Sequence, residues 1–258
     1  MANPSGMPSW IDLATTDLES ARDFYSKLFG WSVEVTPEPE AQGYTLFLKG
    51  GKQVAGVGPV QMPGQPPSWT MYVATDDADA VAAKVEGADG KVLAPPFDVF
   101  DFGRMAVFSD PSGAVFAVWQ AGTHPGGEVF NQPGTYTWSE LTTREPELGK
   151  EFYGHVFGWT ATDRKAGPLT VTTFKLNGAP AAGIVKMEGD MWPPDLPSHW
   201  MNYVAVDDVD ATAAKSKQLG GGVSVEPTDI DPGRFAIIND PQGAFLSIIK
   251  MRPDFQPG

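Results

Sequence analysis

The sequence predicts an α+β protein made by tandem duplication, and three observations carry that prediction. Blocks of the first half recur in the same order in the second, with FYSKLFGW (Phe24–Trp31) returning as FYGHVFGW (Phe152–Trp159) and the Trp10 strand start matching that at Trp138. Within each copy, short apolar runs alternate with amphipathic helical patterns. Between the copies lies GTHPGGEVFNQPG (Gly122–Gly134), rich in Gly and Pro and without periodicity. The expected division is therefore a first domain over 1–122, a linker over 123–134 and a second domain over 135–258, each long enough to bury its own core.

Each copy opens with a strand around Trp10 or Trp138 and passes into a helix. In the first, Ala21, Phe24, Tyr25, Leu28 and Phe29 recur at helical spacing, Thr16 and Glu19 fit a capping box, and Gly30 ends the run. Pro146 opens the equivalent helix of the second copy. Strand-like runs follow at Tyr44–Leu48, Val54–Val60 and Met71–Ala74, then a helix over Ala78–Glu86, with Asp76, Asp77, Asp207 and Asp208 placed as helix N-caps. Each copy closes on a hairpin whose turn, DPSG or DPQG, sets Pro second and Gly fourth. The order is βαβββ, twice per copy.

Composition excludes several classes of function. A net charge of −14 with no Lys/Arg cluster repels a phosphate backbone, so nucleic acid is not an expected partner. No basic leader precedes an apolar stretch and no run of apolar residues is long enough to span a bilayer, so neither export nor a membrane is expected, and the cytoplasm is the expected location. The absence of cysteine removes disulfides, thiolate catalysis and sulfur-ligated zinc. Eight Trp and fifteen Phe are generous for 258 residues, and such side chains either fill cores or line pockets for flat ligands.

The FY…FGW helix end, the strand leading to DDxDA, and the terminal GR…DPxG hairpin, repeated in order across nearly the whole chain, resemble the vicinal oxygen chelate superfamily. That family includes glyoxalase I, bleomycin-resistance proteins and extradiol dioxygenases, and the two-domain actinobacterial members are the most similar. The resemblance implies tandem glyoxalase-like domains, each two βαβββ modules forming a curved sheet around a cavity. In metal-dependent members it further implies His, Gln or Glu on the first strand of each module, and Glu or His on the last. This chain departs from that pattern: the corresponding positions hold Trp10, Thr70, Trp138 and Met201 on the first strands and Ala117 and Ser247 on the last. Indole and thioether do not replace hard oxygen ligands, so no catalytic metal and no other cofactor is expected.

Alternation along a strand sets residue i+2 on the face of residue i, which places Asp12 beside Trp10 and Glu140 beside Trp138. Each carboxylate is either paired with a neighbour or is a general acid/base with a raised pKa. The same rule groups Thr70 with Tyr72, and His199 with Met201 and Tyr203. The candidate catalytic set is thus Asp12, Glu140 and His199, the last because imidazole titrates near neutrality. Trp10, Thr70, Tyr72, Trp138, Met201, Tyr203 and Phe100 are the candidate substrate contacts; core packing is the competing account of the indoles and phenols, and a capping role that of His199. His124 in the linker and His155 on a helix receive no role.

Three functions stand at this point. One is metal-free proton transfer, as dehydration, cyclisation or isomerisation, on a bulky aromatic substrate; the resemblance implies polyketide chemistry because similar proteins accompany such pathways. Another is sequestration of an aromatic drug or metabolite without chemistry. The third is a divalent-metal glyoxalase or dioxygenase. The expected partner is an aromatic small molecule, and the expected assembly a monomer or weak homodimer.

Overall fold

The computed structural model describes residues 3–166, 169–190 and 192–255. The first half runs β1 (Pro8–Thr15), α1 (Leu18–Phe29), β2 (Ser32–Val35), β3 (Thr45–Lys49), β4 (Lys52–Pro59), β5 (Ser68–Ala74), α2 (Ala78–Gly87), β6 (Lys91–Val99), β7 (Gly103–Ser109) and β8 (Val115–Ala121). The second repeats it as β9 (Tyr136–Thr143), α3 (Pro146–Phe157), β10 (Thr160–Ala166), β11 (Leu169–Leu176), β12 (Ala179–Lys186), β13 (His199–Ala205), α4 (Val209–Gln218), β14 (Gly222–Ile230), β15 (Gly233–Asn239) and β16 (Phe245–Met251). Each half is one mixed eight-stranded sheet, β2-β3-β4-β1-β5-β8-β7-β6 and its copy, open at both edges. Parallel pairing of β1 with β4 and of β5 with β8 flanks the central antiparallel pair β1–β5, so the two βαβββ modules meet along their first strands.

Helix starts follow local chemistry, with two corrections. The α1 cap is Asp17, not Thr16: its carboxylate accepts from the Ser20 amide at 3.0 Å, with Asp17 itself in extended backbone. Of the four aspartates expected to cap, Asp77 and Asp208 do so, bonding the amides of Ala80 and Ala211. Asp76 and Asp207 stand one residue too early to reach those amides. Gly30 and Gly158 end α1 and α3 in the left-handed conformation, which glycine adopts without a Cβ clash. The DPxG turns form as expected, and Asp110 Oδ1 also accepts from Ser112 and Ala114.

The expectation that each copy buries its own core is corrected. One core joins Ile11, Phe24, Tyr25 and Phe47 of the first half to Val209, Ala213, Ile238 and Ile248 of the second; the other joins Val81, Phe108 and Phe116 to Leu141, Phe152, Tyr153 and Phe174. Two helices per half leave much of a wide sheet's apolar face open, so α1 packs with α4 and α2 with α3, and the halves cover one another. The FGW tryptophans tie the arrangement down: Trp31 donates to the Gly134 carbonyl ahead of β9, and Trp159 to the Gly6 carbonyl ahead of β1. Among the described residues, no helix is long and apolar enough to cross a membrane.

Candidate functional site

Strand register decides which side chains share the face turned away from the helices. In the first half Trp10 stands opposite Tyr72, Tyr72 opposite Ala117, and Asp12 between Thr70 and Gly56. The second half repeats this with Trp138, Tyr203 and Ser247 in one row and Glu140 between Met201 and Gly183. A β-bulge just before each tryptophan, between Pro8 and Trp10 and between Tyr136 and Trp138, re-aims the strand so that the indole faces the site.

In the first half the Tyr72 hydroxyl donates to Asp12 Oδ2 at 2.9 Å and the Tyr44 hydroxyl to the same oxygen at 3.5 Å, while the Trp10 indole N–H donates to Tyr44 Oη at 3.3 Å. Burial pushes the Asp12 carboxyl up to about 6, and the two phenols pull it partly back. Tyr44 fits over β4 only because Gly56 lacks a side chain: a Cβ there would sit 2.0 Å from Tyr44 Oη. The rest of the face is filled by the protein itself. Trp10 is 4% exposed and Trp119 is buried, and both pack edge-on against His124, at 4.8 and 5.4 Å between ring centroids. His124 Nδ1 lies 2.6 Å from Gln53 Oε1, its Nε2 is buried without a partner among the described residues, and burial drives the imidazole down to about 4.

The second half carries the same carboxylate–phenol pair in a more open setting. Tyr203 donates to Glu140 Oε2 at 2.6 Å. Burial raises the Glu140 carboxyl above its ordinary value, opposed by the Tyr203 hydroxyl, the Trp138 indole N–H and the charge of Arg164. Gly183 again leaves room, since a Cβ would come 3.1 Å from Glu140 and 3.2 Å from the Trp138 nitrogen. Arg164 is itself paired with Asp231 and lies 5.6 Å above the Phe255 ring. Trp138 is only half-buried and lines a cavity of about 720 Å³ together with Pro180, Ile249, Met251 and Phe255. The lining of that cavity includes Trp138 but not Glu140.

The structure thus brings Trp10, Asp12, Thr70 and Tyr72 together on one face, and Trp138, Glu140, Met201 and Tyr203 on the other. His199 lies on the second face opposite Thr142, two residues beyond Met201 at the start of its strand; its Nδ1 bonds the Pro197 carbonyl, and it makes no hydrogen bond to Glu140. Phe100 lies apart from both faces. It sits at the β6–β7 turn with φ 50°, 44% exposed, beside a shallow depression with Asp98, Asp101 and Arg104, because the left-handed turn aims it outward; Phe102 instead packs on the Trp10 cluster. Two residues of the first face escaped sequence reasoning. Tyr44 was legible from alternation with Leu46, whereas His124 lies in an aperiodic linker and carried no signal.

The donor set does not suit a divalent ion. Each face offers one carboxylate ringed by phenol and indole, and among the described residues no three His, Asp or Glu side chains converge.

The model of the Glyoxalase/Bleomycin resistance protein/Dioxygenase superfamily matches residues 8–118 and again 130–248. The chain is 43% identical over 256 residues to "Putative glyoxylase CFP32" of Mycobacterium tuberculosis, covering 96% of each protein. It is 40% identical over 266 residues to the anthracycline biosynthesis protein DnrV of Streptomyces peucetius, covering 97% of this chain and 95% of that one. Among solved structures, the Mn(II)-bound glyoxalase of Novosphingobium aromaticivorans superposes with a TM-score of 0.66 at 17% identity over 95% of this chain and 82% of that one. The 2,3-dioxygenase LapB of Pseudomonas sp. KL28 does so with 0.65 at 15% over 98% and 97%. At these identities the structural likeness is one of fold.

Proposed function

The chain belongs to the Glyoxalase/Bleomycin resistance protein/Dioxygenase superfamily, and from that premise we propose that it acts on a bulky aromatic, polyketide-like small molecule by proton transfer without a divalent metal. The single observation that carries this reading is the carboxylate–phenol pair set at the centre of each face, Asp12 with Tyr72 and Glu140 with Tyr203. A carboxyl raised by burial is a stronger base once ionised, and a phenol beside it donates to an oxygen that gains negative charge. The carboxylate takes a proton from a carbon next to a substrate carbonyl, the enolate oxygen takes the hydrogen bond, and the proton returns elsewhere on the carbon skeleton or leaves with a hydroxyl as water. Return of the proton to another carbon is isomerisation, its departure with a hydroxyl is dehydration, and attack of the enolate carbon on a second carbonyl, whose oxygen then takes the proton, is cyclisation.

The aromatic substrate class rests on the two relatives named for anthracycline biosynthesis, DnrV and DauV, each 40% identical to this chain. Absence of cysteine supports a cytoplasmic setting. The competing reading, sequestration of an aromatic compound without chemistry, is favoured by one observation: the large cavity touches the Trp138 indole and stops short of Glu140.

Deuterium wash-in at carbons next to the carbonyls of fused-ring polyketide ketones, followed by NMR with chelator-treated protein, separates these readings. Exchange that persists in chelator and is lost in Glu140→Gln supports proton transfer. Saturable binding without exchange returns the protein to sequestration, and exchange that needs added metal removes the metal-free reading.

A further inference from the structure

We infer that the ligand site lies on the sheet face of the second half and not on that of the first, as a subsite for the flat face of a fused aromatic ring system against Trp138, where the first half seats its own His124. The inference rests on the aromatic-ligand reading above and names its location.

Register makes the two halves comparable residue by residue. Gly56 faces Asp12 and Gly183 faces Glu140, so Gln53 and Pro180 hold equivalent places on β4 and β12. Trp10 and Trp138 are equivalent on β1 and β9, and Trp119 and Ile249 stand nine residues past the aspartates of their DPxG turns. In the first half these positions form a closed receptacle. Its occupant is the imidazole of His124, seated between Trp10 and Trp119 and held through Nδ1 by Gln53. The linker returns across the site to hold that ring, with Gly127 N–H donating to the Ser9 carbonyl and Trp119 N–H to the His124 carbonyl.

The tryptophan is kept in the second half, but three of the other positions differ. Pro180 has no side-chain group to hold an imidazole, Ile249 is smaller than Trp119, and the residue in the place of His124 is the exposed Asp254. Pro180 and Ile249 border the cavity of about 720 Å³, within the size range of small-molecule sites, with Trp138 beside them on walls from the second half and Pro4, Met7 and Phe130 on walls from the N-terminal segment and the linker. Two features argue for a flat ring as occupant: an indole that is half-buried where its counterpart is covered, and a neighbouring half in which an aromatic ring already occupies the same space. Glu140 and Tyr203 lie on the same face, two residues along β9 and directly across from Trp138.

The test is a titration with quinizarin, a planar dihydroxyanthraquinone, read by tryptophan quenching and by the visible absorbance of the probe. The expected result is saturation at one equivalent, weakened about tenfold or more by Trp138→Ala and by Ile249→Trp, which rebuilds the wall of the first half. His124→Gly should admit a second equivalent without weakening the first. Saturable binding that Ile249→Trp leaves unchanged would overturn the location and leave the aromatic reading standing. No saturable binding by the parent protein would instead remove the aromatic reading itself. Circular dichroism of each variant separates lost contact from lost fold; if Trp138→Ala unfolds, unchanged binding by Ile249→Trp alone overturns the inference.

Discussion

The hydroxyl of Tyr25 donates to the carboxylate of Asp240 at 3.2 Å, joining a helix of the first half to the last turn of the second. Its mirror, Tyr153 to Asp110 at 3.1 Å, does the same in reverse. Each phenol also accepts from a buried indole, Trp69 or Trp200, so the FY motif and the DPxG turn of opposite copies form one buried network twice over.

Tyr25→Phe should cost about 1–3 kcal/mol, because it removes the donor to Asp240 and leaves the Trp69 N–H buried without an acceptor. Urea unfolding measures it directly. A loss no larger than that of an exposed substitution would mean the network contributes little across the halves.

Asp12→Asn should stabilise the protein at neutral pH. The folded carboxyl is raised from 3.8 to about 6, so its cost is absent below the lower value, grows as pH rises through the higher one, and is complete above it. The variant should gain about 1–3 kcal/mol at pH 7 to 8, shrinking to nothing near pH 4. Thermal melts across that window decide; a gain that does not change with pH would assign the effect to packing.

His124 works in the opposite sense. Its folded imidazole is lowered from 6.5 to about 4 by burial, so the stability it contributes is full above about 6.5 and is lost as pH falls toward 4. His124→Gln should therefore show a flatter acid limb in Tm against pH than the parent over that interval. Parallel curves would place the imidazole in solvent.

Gly56→Ala should destabilise by about 1–3 kcal/mol by driving the added methyl into the Tyr44 hydroxyl, and most of that loss should vanish in a Tyr44→Ala background. The equivalent Gly183→Ala meets its nearest side-chain atoms at 3.1 Å or more and should cost less. Equal and additive losses at the two sites would contradict the role given to Tyr44.

Much of this arrangement was readable in the chain. The repeat of FY…FGW and GR…DPxG established two copies of one βαβββ plan, and strand alternation placed Trp10 with Asp12 and Trp138 with Glu140, since both signals are local and periodic. Asp17 in place of Thr16 as a cap is a one-residue error of the kind a local signal allows. What the sequence alone could not decide is long-range. Tyr25 meets Asp240 across 215 residues, and that meeting makes each core a joint product of both halves. His124 reaches the first face through a linker without periodicity, and among the described residues no imidazole takes that place on the second face, so two similar sequences yield one filled site and one open cavity. Repetition in sequence specifies backbone because hydrogen bonding and alternation are short-range; occupancy of a site depends on which distant side chain arrives there, and only the tertiary structure decides that.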